Sequence, residues 1–431
     1  MGGGLTTSGL AGSGRDPFVR QNLRHNILAL GADFSLFLVG LSFASQSTIL
    51  PAFAAHLGAS NVVIGAIPAV MTVGWLLPSL FAAGHTEALT RKLPFVLRYT
   101  IWERAPFLVL AFAAFVLADS APALTLAIVL TMLLVITGAG GILMPAWMDI
   151  VGRAIPTNLR GRFFAVASLV GSAGGFVSGV AIAYILAAFP APAGYGVCFL
   201  LTAIFMGLSY VALAFTREPA GGVASPALPL RAYLSRLPAL LHRNRNFSRF
   251  LIARAFGVLG MMASGFYTVY ALQAHAVPAS QVGVFTTVLF SGQIVGNVVF
   301  GWLADRVGHR VVLIAGVAAM VAANVLALAA QSPEVFRVVF ALSGVQVAAI
   351  NVSSLNVLLE FAPVPAEQPT YVGLGNTPLA PITFVAPLTA GGIADAFGFK
   401  LVFFTAAFFG VIALGLLLGW VRDPRHERAM P

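Results

Sequence analysis

Charge is what this sequence has least of. Of 431 residues only 24 are basic and 14 acidic, 9% in all, against about 25% in a soluble domain. So few charges cannot cover a water-facing exterior, which excludes a soluble enzyme, a nucleic-acid binder and a disordered chain. Cysteine is nearly absent. Cys198 stands alone in an apolar run, so there is neither an internal disulfide nor a cysteine metal site. Lysine occurs only as Lys92 and Lys400, and with so much alanine and glycine this suggests a GC-rich bacterial genome. No HExxH pair and no Gly-Lys-Ser/Thr phosphate loop occurs. The expectation is no enzyme, no cofactor, no resident metal and no ATP-driven pump.

Apolar sequence fills the remainder: 59% of residues are hydrophobic and the mean hydropathy is +0.93. Twelve apolar runs fall near 26–50, 61–83, 94–118, 122–147, 163–188, 194–215, 250–273, 281–304, 311–331, 335–359, 371–394 and 399–421. Each is about 21–26 residues, enough to cross a bilayer as a helix. Strands of a membrane barrel would be about ten residues long and would alternate polar with apolar. The fold class read here is an all-α polytopic membrane protein of twelve transmembrane helices.

Position then explains the net charge of +10. With both termini in the cytoplasm, nineteen of the 24 basic residues fall in inner segments, and only Arg337 and Lys400 fall outside. That is the positive-inside pattern, so these are topology charges and not a nucleic-acid surface. The expected location is a bacterial inner membrane. The expected organisation is a cytoplasmic tail 1–25, a six-helix bundle 26–215, a cytoplasmic linker 216–249, a second bundle 250–421 and a tail 422–431. Within the linker, Leu228, Leu230, Leu234 and Leu237 alternate with Arg231 and Arg236, a basic amphipathic stretch suited to a lipid surface.

Between runs eight and nine the chain reads Gly301-Trp302-Leu303-Ala304-Asp305-Arg306-Val307-Gly308-His309-Arg310. This resembles the G-x-x-x-D-R-x-G-R-R signature of the major facilitator superfamily of secondary transporters, with His309 where arginine is usual. The first half carries a degenerate copy, in which Glu87 stands for Asp305 and Lys92 for Arg310. Two further stretches are similar to family patterns: Pro156 followed by Arg160-Gly161-Arg162, and Gly391-Gly392 with Asp395 and Gly398. The resemblance implies two related six-helix bundles and alternating access. It implies a cytoplasmic gating latch at Gly301, Asp305, Arg306, Gly308 and Arg310, with Glu87 and Lys92 in the other half. Gly301 would allow close helix contact, and Asp305 would face a helix N-terminus across the bundle interface. Gly292, Gly296 and Gly301 suit a rocking interface, and Gly171, Gly175 and Gly179 a packing face.

Ionisable residues inside a membrane point to function. Asp33 lies in run one; Arg98, Glu103 and Arg104 lie in run three. Asp33 or Glu103 is read either as a proton-coupling carboxylate or as half of an ion pair with Arg98 or Arg104. Arg254, near a helix end, is expected to snorkel. In the family, helices one, four, seven and ten line the central cavity. The candidates to touch solute are Gln46, Tyr267, Tyr270, Gln346 and Asn351, together with Gln293, Asn297 and Asn376. The expected function is secondary active transport of a small organic solute, proton-coupled, with efflux of amphiphilic compounds as the specific form. Uptake of a sugar or organic acid is one alternative, and a non-transporting receptor on the same fold is the other. The partners expected are the bilayer, the solute and a proton, with no nucleic acid, and the chain acting as a monomer.

Overall fold

The computed structural model describes residues 15–87, 89–219, 241, 243–364 and 367–427. The amphipathic stretch at Leu228–Leu237, with Arg231 and Arg236, lies outside the described residues, as do Arg428 and the side chains of Gly84 and Glu87.

Eleven helices among the described residues are 21 to 33 residues long and apolar enough to cross a membrane. In chain order these are α1 (Pro17–Phe43), α3 (Leu93–Leu117), α4 (Pro122–Ala154), α5 (Thr157–Ala188), α6 (Ala193–Ala214) and α7 (Arg245–Ala274). Then come α8 (Gln281–Arg306), α9 (His309–Ala329), α10 (Val335–Phe361), α11 (Thr370–Phe397) and α12 (Phe399–Gly419). The twelfth, α2, spans Asn61–Glu87. Continuous apolar sequence makes each helix satisfy its own backbone, the requirement inside lipid.

The helices form two bundles of six. In the first, α2 packs along α4, and α1 against α5 and α6; in the second, α8 packs along α10, and α9 against α10 and α12. Small residues set the close crossings. A Cβ on Gly141 of α4 would lie 2.6 Å from the Trp75 carbonyl oxygen, and one on Gly344 of α10 would lie 2.0 Å from that of Leu289. Gly292 and Gly296 also face α10 within their own bundle, and nothing lies within 4 Å of a Cβ at Gly301. None of the three makes the rocking contact expected of it. Gly171 and Gly174 of α5 meet α1, while Gly175 and Gly179 meet α8.

Run one differs most from its expected limits. Its helix begins by Arg15 and ends at Phe43, and a short helix Ile49–His56 follows a turn at 44–48. The turn is Ala44-Ser45-Gln46-Ser47-Thr48, where short polar side chains compete with helical hydrogen bonds. Helix α7 likewise starts at Arg245, inside the expected linker, because Asn244 caps it by accepting from the Phe247 N–H at 2.9 Å. Two later helices change character part-way, α7 at Met261–Ala263 and α11 at Thr377–Leu379.

The bundles meet through α5 with α8 and α2 with α11. Among the described residues, every close glycine contact between them lies in the half away from the basic loops. A Cβ on Gly65 would be 2.2 Å from Pro387 O, on Gly391 2.3 Å from Asn61 O, on Gly179 2.4 Å from Thr287 N and on Gly283 2.1 Å from Ala183 N. Polar bonds join them at that same end. Asp395 of α11 accepts from the Asn61 N–H (3.0 Å), Asn61 Nδ2 (2.9 Å) and the Val62 N–H (3.1 Å), an anion on the first turn of α2. Thr268 Oγ1 donates to Ser47 O at 2.8 Å, and Thr48 and Thr286 share a hydroxyl bond of 2.8 Å.

Candidate functional site

The first bundle buries a charged centre. Asp33 on α1 is 2% exposed, Glu103 on α3 7% and Arg104 8%. Arg104 Nη2 donates to Asp33 Oδ1 at 3.0 Å and Nη1 to Glu103 Oε2 at 3.1 Å. Ser209 Oγ of α6 donates to Asp33 Oδ1 at 2.6 Å, and Trp147 Nε1 of α4 donates to Asp33 Oδ2 at 2.9 Å. Thr100 Oγ1 donates to Glu103 Oε2 at 3.0 Å. Four helices therefore converge on one guanidinium and two carboxylates. Both oxygens of Asp33 are engaged; Glu103 Oε1 has no donor among the described residues. Arg98 does not join this centre. It is exposed, with its guanidinium 5.8 Å from the Tyr99 ring centroid.

The second bundle holds an arginine of another kind. Arg254 turns inward rather than snorkelling. Its Nη1 donates to Gly375 O at 2.9 Å, and its Nη2 to Ser354 Oγ and Asn376 Oδ1 at 3.0 Å each. All three partners are neutral, and no described carboxylate lies within ion-pair distance of it.

The bundles share a device that sequence reading overlooked. Asn26 of α1 donates to Arg217 O at 3.0 Å and accepts from Arg217 N at 2.9 Å, just past α6. Asn246 of α7 does the same with Arg422, just past α12, at 3.0 and 2.8 Å. The signal was present: Arg217-Glu218-Pro219 and Arg422-Asp423-Pro424 close the two halves in parallel. Glu218 then caps α3, accepting from the Lys92 and Leu93 N–H groups at 2.7 and 3.0 Å. Asp423 sits beside the start of α9, its Oδ2 3.2 Å from where a Cβ of Gly308 would be.

The other solute candidates scatter. Tyr267 is buried within its own bundle, its hydroxyl donating to Asn324 Oδ1 at 2.7 Å. Tyr270 packs among Phe336, Phe399 and Phe403. Gln46 is exposed in the turn after α1, and Asn351 is exposed on α10. Gln293 and Asn297 are half-buried on α8 and Gln346 is buried on α10; their side chains have no hydrogen bond among the described residues. Asn376 is bound to Arg254.

At the basic end the described latch residues are not engaged across the interface. Asp305 is exposed, with no hydrogen bond or ion pair among the described residues. Arg306 lies over the Trp302 ring at 4.5 Å, and Arg310 donates to the last carbonyls of α12, Leu417 and Leu418, at 2.5 and 3.1 Å. Gly308 has φ +120°, open to glycine and strained for other residues. Lys92 pairs with Asp149 of α4 at 2.7 Å. The two ends thus differ: one is bonded shut between the bundles, and at the other these groups bond within their own bundle.

Comparison with known proteins agrees with this geometry. Residues 250–431 match the family model described as the Major Facilitator Superfamily. No curated protein matches the sequence. The chain superposes on a variant of the nucleoside transporter NupG with a TM-score of 0.69 at 15% identity, covering 92% of this chain and 100% of the other. On a D-xylose-proton symporter the TM-score is 0.68 at 14% identity, covering 93% and 98%. On a bacterial homolog of the human lysosomal transporter Spinster, in an inward-facing and unoccupied conformation, it is 0.68 at 14% identity, covering 95% and 98%. Twelve helices in two bundles thus give this multi-pass membrane protein the fold of these solved transporters along nearly its whole length, and residues 250–431 match the model of the Major Facilitator Superfamily.

Proposed function

We propose that the protein is a proton-coupled secondary transporter of a small organic solute, working by alternating access. The observation that carries this reading is that, among the described residues, the inter-bundle contacts close at one end only. The nineteen-to-two division of basic residues supports cytoplasmic termini in a bacterial inner membrane. The closed end then faces outward and the solute path opens to the cytoplasm. Opposite opening would break the Asp395 bonds and bring the loop at Asp305 towards the first bundle. Each bundle moves as a unit, α1–α6 against α7–α12 on the segment that joins them, and one chain supplies both walls of the path.

Proton coupling is supported by the charge count at Arg104. One guanidinium facing two carboxylates carries a net −1 without a bound proton and zero with one. Asp33 has donors on both oxygens, so it is the fixed counter-ion, and Glu103 Oε1 is the oxygen free to take the proton. Shuttling one proton there alternates the centre between charged and neutral, a difference that burial makes large.

A lightly charged, glycine-rich interior favours efflux of amphiphilic compounds. The D-xylose-proton symporter among the superposed structures favours the alternative, uptake of a sugar or organic acid. The test begins with a thermal-shift screen of the purified chain against sugars, nucleosides, organic acids and drugs at two pH values. A stabilising solute is then followed in proteoliposomes. Wild type is expected to accumulate it when a pH gradient is imposed, and Glu103→Gln to exchange it without accumulation. Gradient-driven accumulation by Glu103→Gln equal to wild type would overturn the proton assignment; binding without flux in wild type would favour a receptor.

A further inference from the structure

We propose that Arg254 binds the carboxylate of a small organic monoanion, whose aromatic or apolar body lies against Phe34, Trp147 and Phe164 of the opposite bundle. The proposal deepens the transport reading and rests on it for the direction of movement, but not for binding.

Three observations converge. The first is the charge of Arg254, which is fixed because a guanidinium does not lose its proton in a protein. Its partners, Gly375 O, Ser354 Oγ and Asn376 Oδ1, orient it without neutralising it. Two of its five N–H groups have no acceptor among these contacts. Elsewhere this protein pairs its membrane-embedded cation: Arg104 has two carboxylates.

The second is where Arg254 points. Thr268, fourteen residues further along α7, bonds to Ser47 of the first bundle, so that face of α7 looks across the interface. Fourteen residues at about 100° each leave Arg254 roughly 40° from Thr268 around the axis, and the tighter turn at Met261–Ala263 shifts this by about 60° the other way, so both lie on one broad side of α7. Between them on this face lie Gly257 and Gly265, and a Cβ at either would meet no heavy atom within 4 Å. Arg254 therefore borders an open space whose far end is the closed contact.

The third is what lies opposite. Asn26 and Asn246 occupy matching places in the two halves. Counting eight residues on from each gives Phe34 in the first half and Arg254 in the second, at the same depth. Phe34 is half-buried and stacks on Trp147 at 5.6 Å, with Phe164 edge-on at 5.9 Å. An aromatic platform thus stands across the path from an arginine fork, whose geometry suits a carboxylate bidentately. One uncompensated charge matches a monoanion.

Benzoate, phenylacetate and 3-phenylpropionate, each beside its neutral amide, are the probes. Purified full-length protein in detergent is titrated with each, and unfolding temperature and dissociation constant are read. In wild type the acids are expected to stabilise and the amides not. For the acid bound best, Arg254→Gln should weaken binding about tenfold or more, Arg254→Lys should restore part of it, and Phe34→Ala should weaken it while leaving the preference for acid over amide. Equal stabilisation by acid and amide in wild type overturns the proposal without any variant having to fold, as does the absence of stabilisation by any of the three acids. Unchanged acid binding in Arg254→Gln overturns it too. Flux separates this from the transport reading: accumulation of a neutral solute with no acid preference sinks the anion site alone, whereas acid binding through Arg254 without flux sinks transport alone.

Discussion

In the first bundle a buried arginine sits between two carboxylates; in the second, an arginine at nearly the same depth is held by a serine, an amide and a backbone carbonyl. The first centre is complete without a ligand. Its guanidinium is paired by the protein's own carboxylates, and it ties α1, α3, α4 and α6 together. The second is oriented but left electrically open. One framework, repeated twice with the same asparagine device, thus carries an arginine paired with carboxylates on one side and an arginine with neutral partners on the other.

The largest effect expected from breaking that contrast is in the first bundle. Arg104→Met strands Asp33 and Glu103 without their counter-ion and should cost about 3–5 kcal/mol of stability. Arg254→Met should cost less, about 1–3 kcal/mol, because it frees only neutral acceptors. Chemical unfolding of both variants in detergent checks this, and equal losses would end the distinction between the centres. Next in size, Asn26→Ala and Asn246→Ala each remove two backbone-bonding contacts and should each cost about 2 kcal/mol. Similar values sharpen the view that the halves share this device, and a loss confined to one bundle would refute it. Smaller again is a shift in conformation. Gly283→Val, whose side chain cannot fit beside Ala183 N, should open the outer contact. In a Thr48→Cys, Cys198→Ser background, modification by a membrane-impermeant maleimide should become about tenfold faster. An unchanged rate would separate this glycine from gating. Least of all, Glu367→Gln removes the ion pair of Arg243 with Glu367, which lies at the surface, and should leave the unfolding temperature unaltered.

Much of the architecture was legible because lipid imposes a simple rule: a continuous apolar run must be a helix. The twelve helices follow from hydropathy, and the polar turn at Ser45–Thr48 explains why α1 ends early. The site was less legible. Tyr267 and Tyr270 were read as cavity residues, yet they face Asn324 and Phe403 in their own bundle. A helix apolar all round gives no periodic signal for which face meets the cavity. Arg98 and Arg104 could not be told apart as partners of Asp33 for the same reason: six residues are not a whole number of turns, and only packing reveals which face is inward. Arg254 was assigned to the membrane edge from its position near the end of run seven. The cap at Asn244 lengthens that helix by more than a turn and carries Arg254 to greater depth. The parallel Arg-Glu-Pro and Arg-Asp-Pro closures were available in the sequence, but their meaning required the partner asparagines.

Those asparagines have a mechanical consequence. Each binds the chain beyond the last helix of its bundle to the first helix, so every bundle is a closed ring whose two ends are stapled together. A pull on the connecting segment after Arg217 meets the staple before it reaches α6. The halves are thereby mechanically insulated from the segment that joins them. Two polypeptides cut within that segment would each retain both of their own fastened ends, and would find one another through the glycine seam and the polar bonds beside it.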